Sequence, residues 1–369
     1  EGDIPSVVEL DKRFTQARSY KGILRAYHLS SLVIHYIVGT YDFDAINAML
    51  EGFAEHRETA TVIEKVLGVS VESFDRDFRA WLERKYAGFN QQFVFDITDV
   101  ESPRVLDKKI EENPDDAVLH AKLAASVAMR GDRKRAEQTI EKGLELDPSS
   151  PEVRYVAAFI SLRLGRAKDA YEQATEILDL GEDGYELRVL LGHIAMTLED
   201  RVAAEVHLTA ATQLWDDGKE AWARLRTLAE SKDDQALETR ATRRLFELDQ
   251  NNPLVARQYT ELLVEKQDYA RAAEAVDRWT SIDPFQPDAH RASIQVGLAS
   301  GDAKRAASAY DVLVTLRPDE QAEVLAEAAG AFQREGFTDY ARRFAQRARK
   351  AGASKAQIDD ALDAAGSND

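Results

Sequence analysis

From about Ala117 to Lys350 the apolar residues return at intervals of three and four, the spacing that lines one side of an α-helix. They come as paired stretches: Leu119, Leu123 and Val127, a break at Gly131-Asp132, then Ala136 and Ile140. The layout recurs every 34 residues, with Pro114 and Pro148 one period apart and Pro284 and Pro318 another. A small residue returns at Ala136, Ala170, Ala204, Ala272 and Ala306, and Glu238 breaks that column. A loop glycine at Gly131, Gly165 and Gly301 gives way to Glu199, Asp233 and Gln267 between them. Leu146, Leu180, Leu214, Leu248, Ile282 and Leu316 close the copies and read as buried core. Leu180→Ala is therefore expected to cost about 2–5 kcal/mol.

One pair of short helices cannot bury its apolar side alone, so the copies must stack. The alanine column marks where helices cross closely, since a larger side chain would force them apart. A 34-residue helix–turn–helix period with these small-residue and proline columns resembles the tetratricopeptide repeat. The resemblance covers seven units: 117–150, 151–184, 185–218, 219–252, 253–286, 287–320 and 321–354. The fourth is the weakest, with Glu238 and Thr242 at apolar positions, and the seventh keeps Ala341 and Phe344 but slips by one residue. A last helix from about Lys355 to Ala364, with Ile358 and Leu362 inward, reads as a terminal cap. The resemblance implies an all-α chain ending in a right-handed solenoid. The expected division is a helical subdomain at 1–88, a linker and N-terminal capping helix at 89–116, seven units at 117–354, and a capping helix and tail at 355–369.

The first hundred residues follow another rhythm. Pro5, Val7, Val8, Leu10 and Phe14 predict a short helix with proline in its first turn. Ser19 is a candidate cap for the next, Asp42 or Asp44 begins a third, Gly68 stops a fourth, and Ser70 caps a fifth. The run Arg25–Ile37, then Phe43–Phe53, Thr59–Gly68 and Phe74–Leu82, resembles the helical C-terminal subdomain of aminopeptidase-like gluzincin metallopeptidases. That resemblance implies a zinc site upstream, built from HExxH and a later glutamate. It also implies that Tyr27 is a remnant oxyanion donor, a role suited to a phenol that stays neutral at pH 7. The plainer reading is that Tyr27 packs on a half-buried helix face.

No HExxH occurs, and none of the seven histidines has another four residues away. His28 and His35 lie two helical turns apart, too far for one small metal ion. This chain is therefore expected to hold no metal or cofactor and to lack peptidase activity alone; zinc would belong to a longer parent. The opening Glu1-Gly2-Asp3, without methionine or signal-like segment, reads as the start of a trimmed product.

Composition narrows the partners. With no cysteine, disulfides and thiolate chemistry are excluded. A formal charge of −18 argues against nucleic acid and anionic membrane surfaces. The longest apolar run, Leu32 to Val38, is too short to span a bilayer and is broken by His35. Neither compartment nor oligomeric state follows from these numbers.

In tetratricopeptide arrays the first helix of each unit lines a groove. The positions projecting there are Val118, Ala121, Ala125 and Ala128, then Glu152, Tyr155, Phe159 and Leu162, then Glu186, Val189, His193 and Met196. Units four to six present Glu220, Thr227, Glu230, Arg257, Glu261, Asp288, Arg291 and Gln295. A groove apolar at one end and charged at the other suits an extended peptide or a partner helix. The alternative is that Tyr155 and Phe159 are covered by the neighbouring unit or by the curvature of the superhelix. Ala121, Ala125, Phe159 and Val189 stand where a clamp for a C-terminal carboxylate would need cations and amides, so that clamp is excluded. Arg342, Arg343, Arg347, Arg349 and Lys350 read as a solvated helix end favoured by the dipole, or as a surface for an acidic partner. At the junction, Phe93, Phe95 and Ile97 alternate onto one side of an extended segment and read as a linker pinned by those side chains. Three functions remain: a protein- or peptide-binding scaffold, the C-terminal portion of a zinc peptidase whose repeats recruit substrate, and a purely structural role in which stacked arrays assemble a larger complex.

Overall fold

The computed structural model describes residues 4–17, 20–89 and 92–363 of the 369-residue chain. Helices account for its regular structure, with no strand among the described residues. The chain divides into two compact units, residues 1–92 and 93–369.

The first unit holds α1 (Leu10–Thr15), α2 (Tyr20–Tyr41), α3 (Phe43–Ala54), α4 (Thr59–Leu67) and α5 (Val71–Lys85). Pro5 stands outside the first helix: a 3-10 turn begins at Val7 with Ser6 before it, and α1 follows. Ser19 lies outside the described residues. Asp42 caps α3 by accepting from the Ala45 amide at 3.2 Å, and Ser70 caps α5 through Ser73 at 3.3 Å. Gly68 ends α4 in the left-handed conformation that a side chain disfavours. The core gathers Val33, Ile37, Ile63, Phe74, Phe78 and Leu82, with the Tyr36 ring edge-on to Phe74 at 5.4 Å.

In the second unit an extended stretch from Phe93 and a short turn at Ile97–Asp99 lead into α6 (Pro103–Glu112). Seven helix pairs follow. They are α7 (Ala117–Met129) with α8 (Arg133–Leu146), α9 (Pro151–Arg163) with α10 (Ala167–Asp179), and α11 (Tyr185–Thr197) with α12 (Arg201–Leu214). Next come α13 (Lys219–Lys232) with α14 (Gln235–Leu248), α15 (Pro253–Glu265) with α16 (Tyr269–Ile282), and α17 (Pro287–Ala299) with α18 (Ala303–Leu316). The last is α19 (Gln321–Arg334) with α20 (Thr338–Lys350), covered by α21 (Lys355–Asp363). Each helix packs on its partner and on the next pair in chain order, as stacking requires. At the two ends, Leu106 of α6 and Ile358 of α21 are both fully buried.

The turns explain the columns. Position 131 and its equivalents take positive φ whatever the residue: 85° at Gly131, 80° at Gly165 and 79° at Gly301, but also 61° at Glu199, 54° at Asp233 and 57° at Gln267. Gly336 takes 76° one residue later than the period requires, which is where the seventh unit slips. The aspartate after the turn caps the second helix: Asp132, Asp200, Asp234, Asp268 and Asp302 each accept from the amide three residues on, at 2.9–3.3 Å. His120 and His290 hold the preceding loops: each Nε2 lies 2.8–2.9 Å from a proline carbonyl, at Pro114 and Pro284. Trp222 does the same through its indole N–H to Asp216 at 2.7 Å.

One expectation fails. Leu180 is 50% exposed, because α10 ends at Asp179 and the chain turns away at Gly181. The other aliphatics of that column are half-buried. The core position is one helical turn earlier, where Ile177, Leu245, Trp279 and Leu313 are buried. Leu146, Leu248 and Ile282, each the last residue of its helix, still pack against the core, so this column lies at the edge of the core and not within it.

Candidate functional site

The side of the second unit formed by the first helices of the pairs is crossed by a piece of the chain itself. From Phe93 to Glu101 an extended strap runs over α11, α9 and α7 in turn. The Phe93 amide donates to the Asp183 carbonyl at 2.8 Å, just before α11. Phe93 and Phe95 then rest on the Tyr155 ring of α9, with centroids 5.6 and 6.0 Å away. At the far end the Ser126 hydroxyl of α7 donates to the Glu101 carbonyl at 2.7 Å, and the same hydroxyl accepts from Arg130. Phe93 and Phe95 are each 7% exposed and belong to the core of the first pairs, while Val94 between them faces out.

The landing point is built rigidly. The Asp183 carboxylate accepts both arms of the Arg188 guanidinium, at 2.8 and 2.7 Å, and the Gly184 amide at 2.8 Å. Arg188 also donates to Nδ1 of His207 at 3.2 Å, and Nε2 of His207 meets the Tyr171 hydroxyl at 3.0 Å. Because arginine only donates, His207 must carry its proton on Nε2 and give it to Tyr171. Burial and then Arg188 hold that imidazole below its usual range.

The predicted groove residues separate along this line. Ala121, Tyr155 and Val189 are buried; Val118, Glu152, Phe159, Leu162, Glu186, His193 and Met196 are half-buried. Tyr155 is therefore covered by the strap, and its phenol is pushed well up by burial, then by Glu186 and Asp96. Phe159 carries the Arg163 guanidinium 5.5 Å above its ring. Glu186 is raised by burial, then by Asp96 and Glu220. His193 is lowered by burial and Arg224. Further along, the charged positions pair with one another: Arg224 with Glu220 at 2.6 Å, Arg226 with Glu230 at 3.2 Å and Arg257 with Glu261 at 2.7 Å. At the other end of the array, Arg347 pairs with Asp311 at 2.6 Å and covers the Phe344 ring.

The alternation of Phe93 and Phe95 is visible in the sequence, but the surface they occupy is not. The readable signal was Gly184, whose place at the head of α11 keeps a side chain out of the strap's path.

In the first unit, Tyr27 is 64% exposed, with its ring edge-on to Phe14 at 4.9 Å. His28 and His35 are also exposed on α2. No group of three or more His, Asp or Glu placed to hold a metal ion occurs among the described residues.

Stacked helix pairs whose first helices begin every 34 residues, joined by a tight left-handed turn, define the repeat class. The array is of the tetratricopeptide type. No family model and no curated protein matches the chain. Among solved structures, PilF of Pseudomonas aeruginosa is similar at 21% identity and TM-score 0.42, over 55% of this chain and 93% of that one. YrrB, a TPR protein with an unusual peptide-binding site, is similar at 20% identity and TM-score 0.31, over 59% and 95%. The C-terminal part of a TPR repeat-containing protein from Cytophaga hutchinsonii is similar at 13% identity and TM-score 0.44, over 65% and 98%. No helix among the described residues is long and apolar enough to cross a membrane.

Proposed function

We propose that the tetratricopeptide-type array is a protein-interaction scaffold that receives an extended peptide segment on its first-helix face. The observation that carries this reading is the strap: a stretch of polypeptide without helix or sheet partners already lies across three successive pairs. Its main chain is held at one end by a backbone hydrogen bond from Phe93 to Asp183 and at the other by the Ser126 hydroxyl on the Glu101 carbonyl, with two aromatic side chains between them. A face that holds one such segment has the chemistry to hold others: backbone groups supply affinity and pockets for alternate side chains supply selectivity. Beyond Met196 the face continues as Thr227, Arg257, Glu261, Asp288, Arg291 and Gln295, five of them exposed among charged neighbours and Thr227 likewise open.

Selection from a displayed library of random peptides tests the reading. Peptides enriched on the full chain should lose binding when Arg257 and Arg291 become Glu, and keep it when Val202 of α12 becomes Ser. Failure to enrich any peptide, or binding indifferent to the first-helix substitutions, would overturn it.

A further inference from the structure

The strap fits this face in its aromatic half and opposes it in charge. Phe93 and Phe95 fill the apolar surface over Tyr155, but the next residue is Asp96. Its charge is felt by the half-buried Glu186 in the first turn of α11, two residues after the Gly184 that Phe93 touches. Glu220 occupies the equivalent position one repeat later and adds to the negative field at Glu186, which carries no salt bridge of its own among the described residues. The cations close by are committed elsewhere: Arg188 to Asp183 at 2.7 Å and Arg224 to Glu220 at 2.6 Å. Like charges at a partly buried face cost more than on open surface, because screening there is weaker. Asp96 stays because it caps the following turn, accepting from the Thr98 amide at 2.8 Å and its hydroxyl at 2.6 Å.

We propose that this face is a docking site for an extended segment of a partner protein in which two aromatic residues, one residue apart, are followed directly by lysine or arginine. Phe93-Val94-Phe95-Asp96 is then its weaker internal occupant. The inference rests on the reading of the first-helix face as a peptide-binding surface and adds the partner's sequence chemistry to it.

Two synthetic peptides decide it, both spanning residues 91–98, one native and one with lysine in place of Asp96. They are titrated against the full chain carrying Phe93→Ala and Phe95→Ala, which opens the face. The lysine peptide should bind at least about threefold more tightly, and the ratio should narrow in high salt or with Glu186→Gln. Equal binding would overturn the charge inference and leave the peptide-binding reading standing; binding of neither peptide to the folded variant would overturn both. If that variant does not fold, the intact strap is tested in place. Asp96→Lys should slow proteolysis between residues 86 and 103 by about threefold relative to Asp96→Ala, which loses the cap alone, and the difference should vanish with Glu186→Gln. Asp96→Lys no better protected than Asp96→Ala would overturn the proposal, and so would a wild-type dimer in sedimentation that exchanges straps, since the occupant would then be a second copy of this chain.

Discussion

The backbone of Phe93 passes so close to Gly184 that a Cβ there would lie 2.2 Å from the Phe93 carbonyl oxygen. The obstructing atom is main chain, anchored by the Phe93 amide on Asp183, so it cannot rotate aside. Gly184→Ala should therefore lift the strap and cost about 1–3 kcal/mol. Thermal melting would show the loss, and new proteolytic cleavage within residues 86–103 would show where it falls. An unaltered digestion pattern would mean that the close approach is not required.

Ile177 and Leu180 are three residues apart and differ completely in burial, the first at 0% and the second at 50% exposed. Ile177→Ala should cost about 2–5 kcal/mol, because a cavity opens between stacked pairs. Leu180→Ala should stay within about 1 kcal/mol. Denaturant midpoints of the two variants, measured together, give the comparison.

Glu199, Asp233 and Gln267 hold the left-handed conformation in which other pairs use glycine. Replacing Gln267 by glycine removes a backbone strain of about 1 kcal/mol or more and returns part of it as unfolded-chain entropy. A net gain of up to about 1 kcal/mol is expected, with the reverse change, Gly165→Ala, losing about as much. Chemical denaturation that ranks them the other way would contradict the strain argument.

Burial, then Asp96, then Glu220 hold the Glu186 carboxyl above its usual 4.5. The folded chain thus binds this proton more tightly than the unfolded chain. Its contribution to stability is fully present below about pH 4.5 and is lost as the pH rises through the raised value. Glu186→Gln should leave stability at pH 4 nearly unchanged and increase it at pH 7, so the gap between variant and wild type widens with pH. Melting both proteins across that range checks the sign.

The array was legible because stacking leaves a periodic trace. Each first helix begins where the period places it, and even the slip in the seventh unit could be seen before Gly336 explained it. Periodicity alone could not tell Leu180 from Ile177, since both lie on the same helical side and only the helix end separates them. The candidate face was legible as a surface but not as an occupied one. What covers Tyr155 comes from sixty residues earlier in the chain, and Phe93 and Phe95 lie outside the repeat register. Position 121 also projects toward that face, yet Ala121 is fully buried, because the strap and α6 close over α7.

In the last pair, a Cβ on Gly330 would lie 2.3 Å from the Ala361 carbonyl oxygen, so α21 is seated directly on the α19 backbone. The last pair is thereby capped by α21, and an additional unit is accommodated more readily between existing ones. A 34-residue copy spliced at a boundary such as 252/253 would find matching neighbours above and below, whereas one added after Lys350 would meet a surface already sealed.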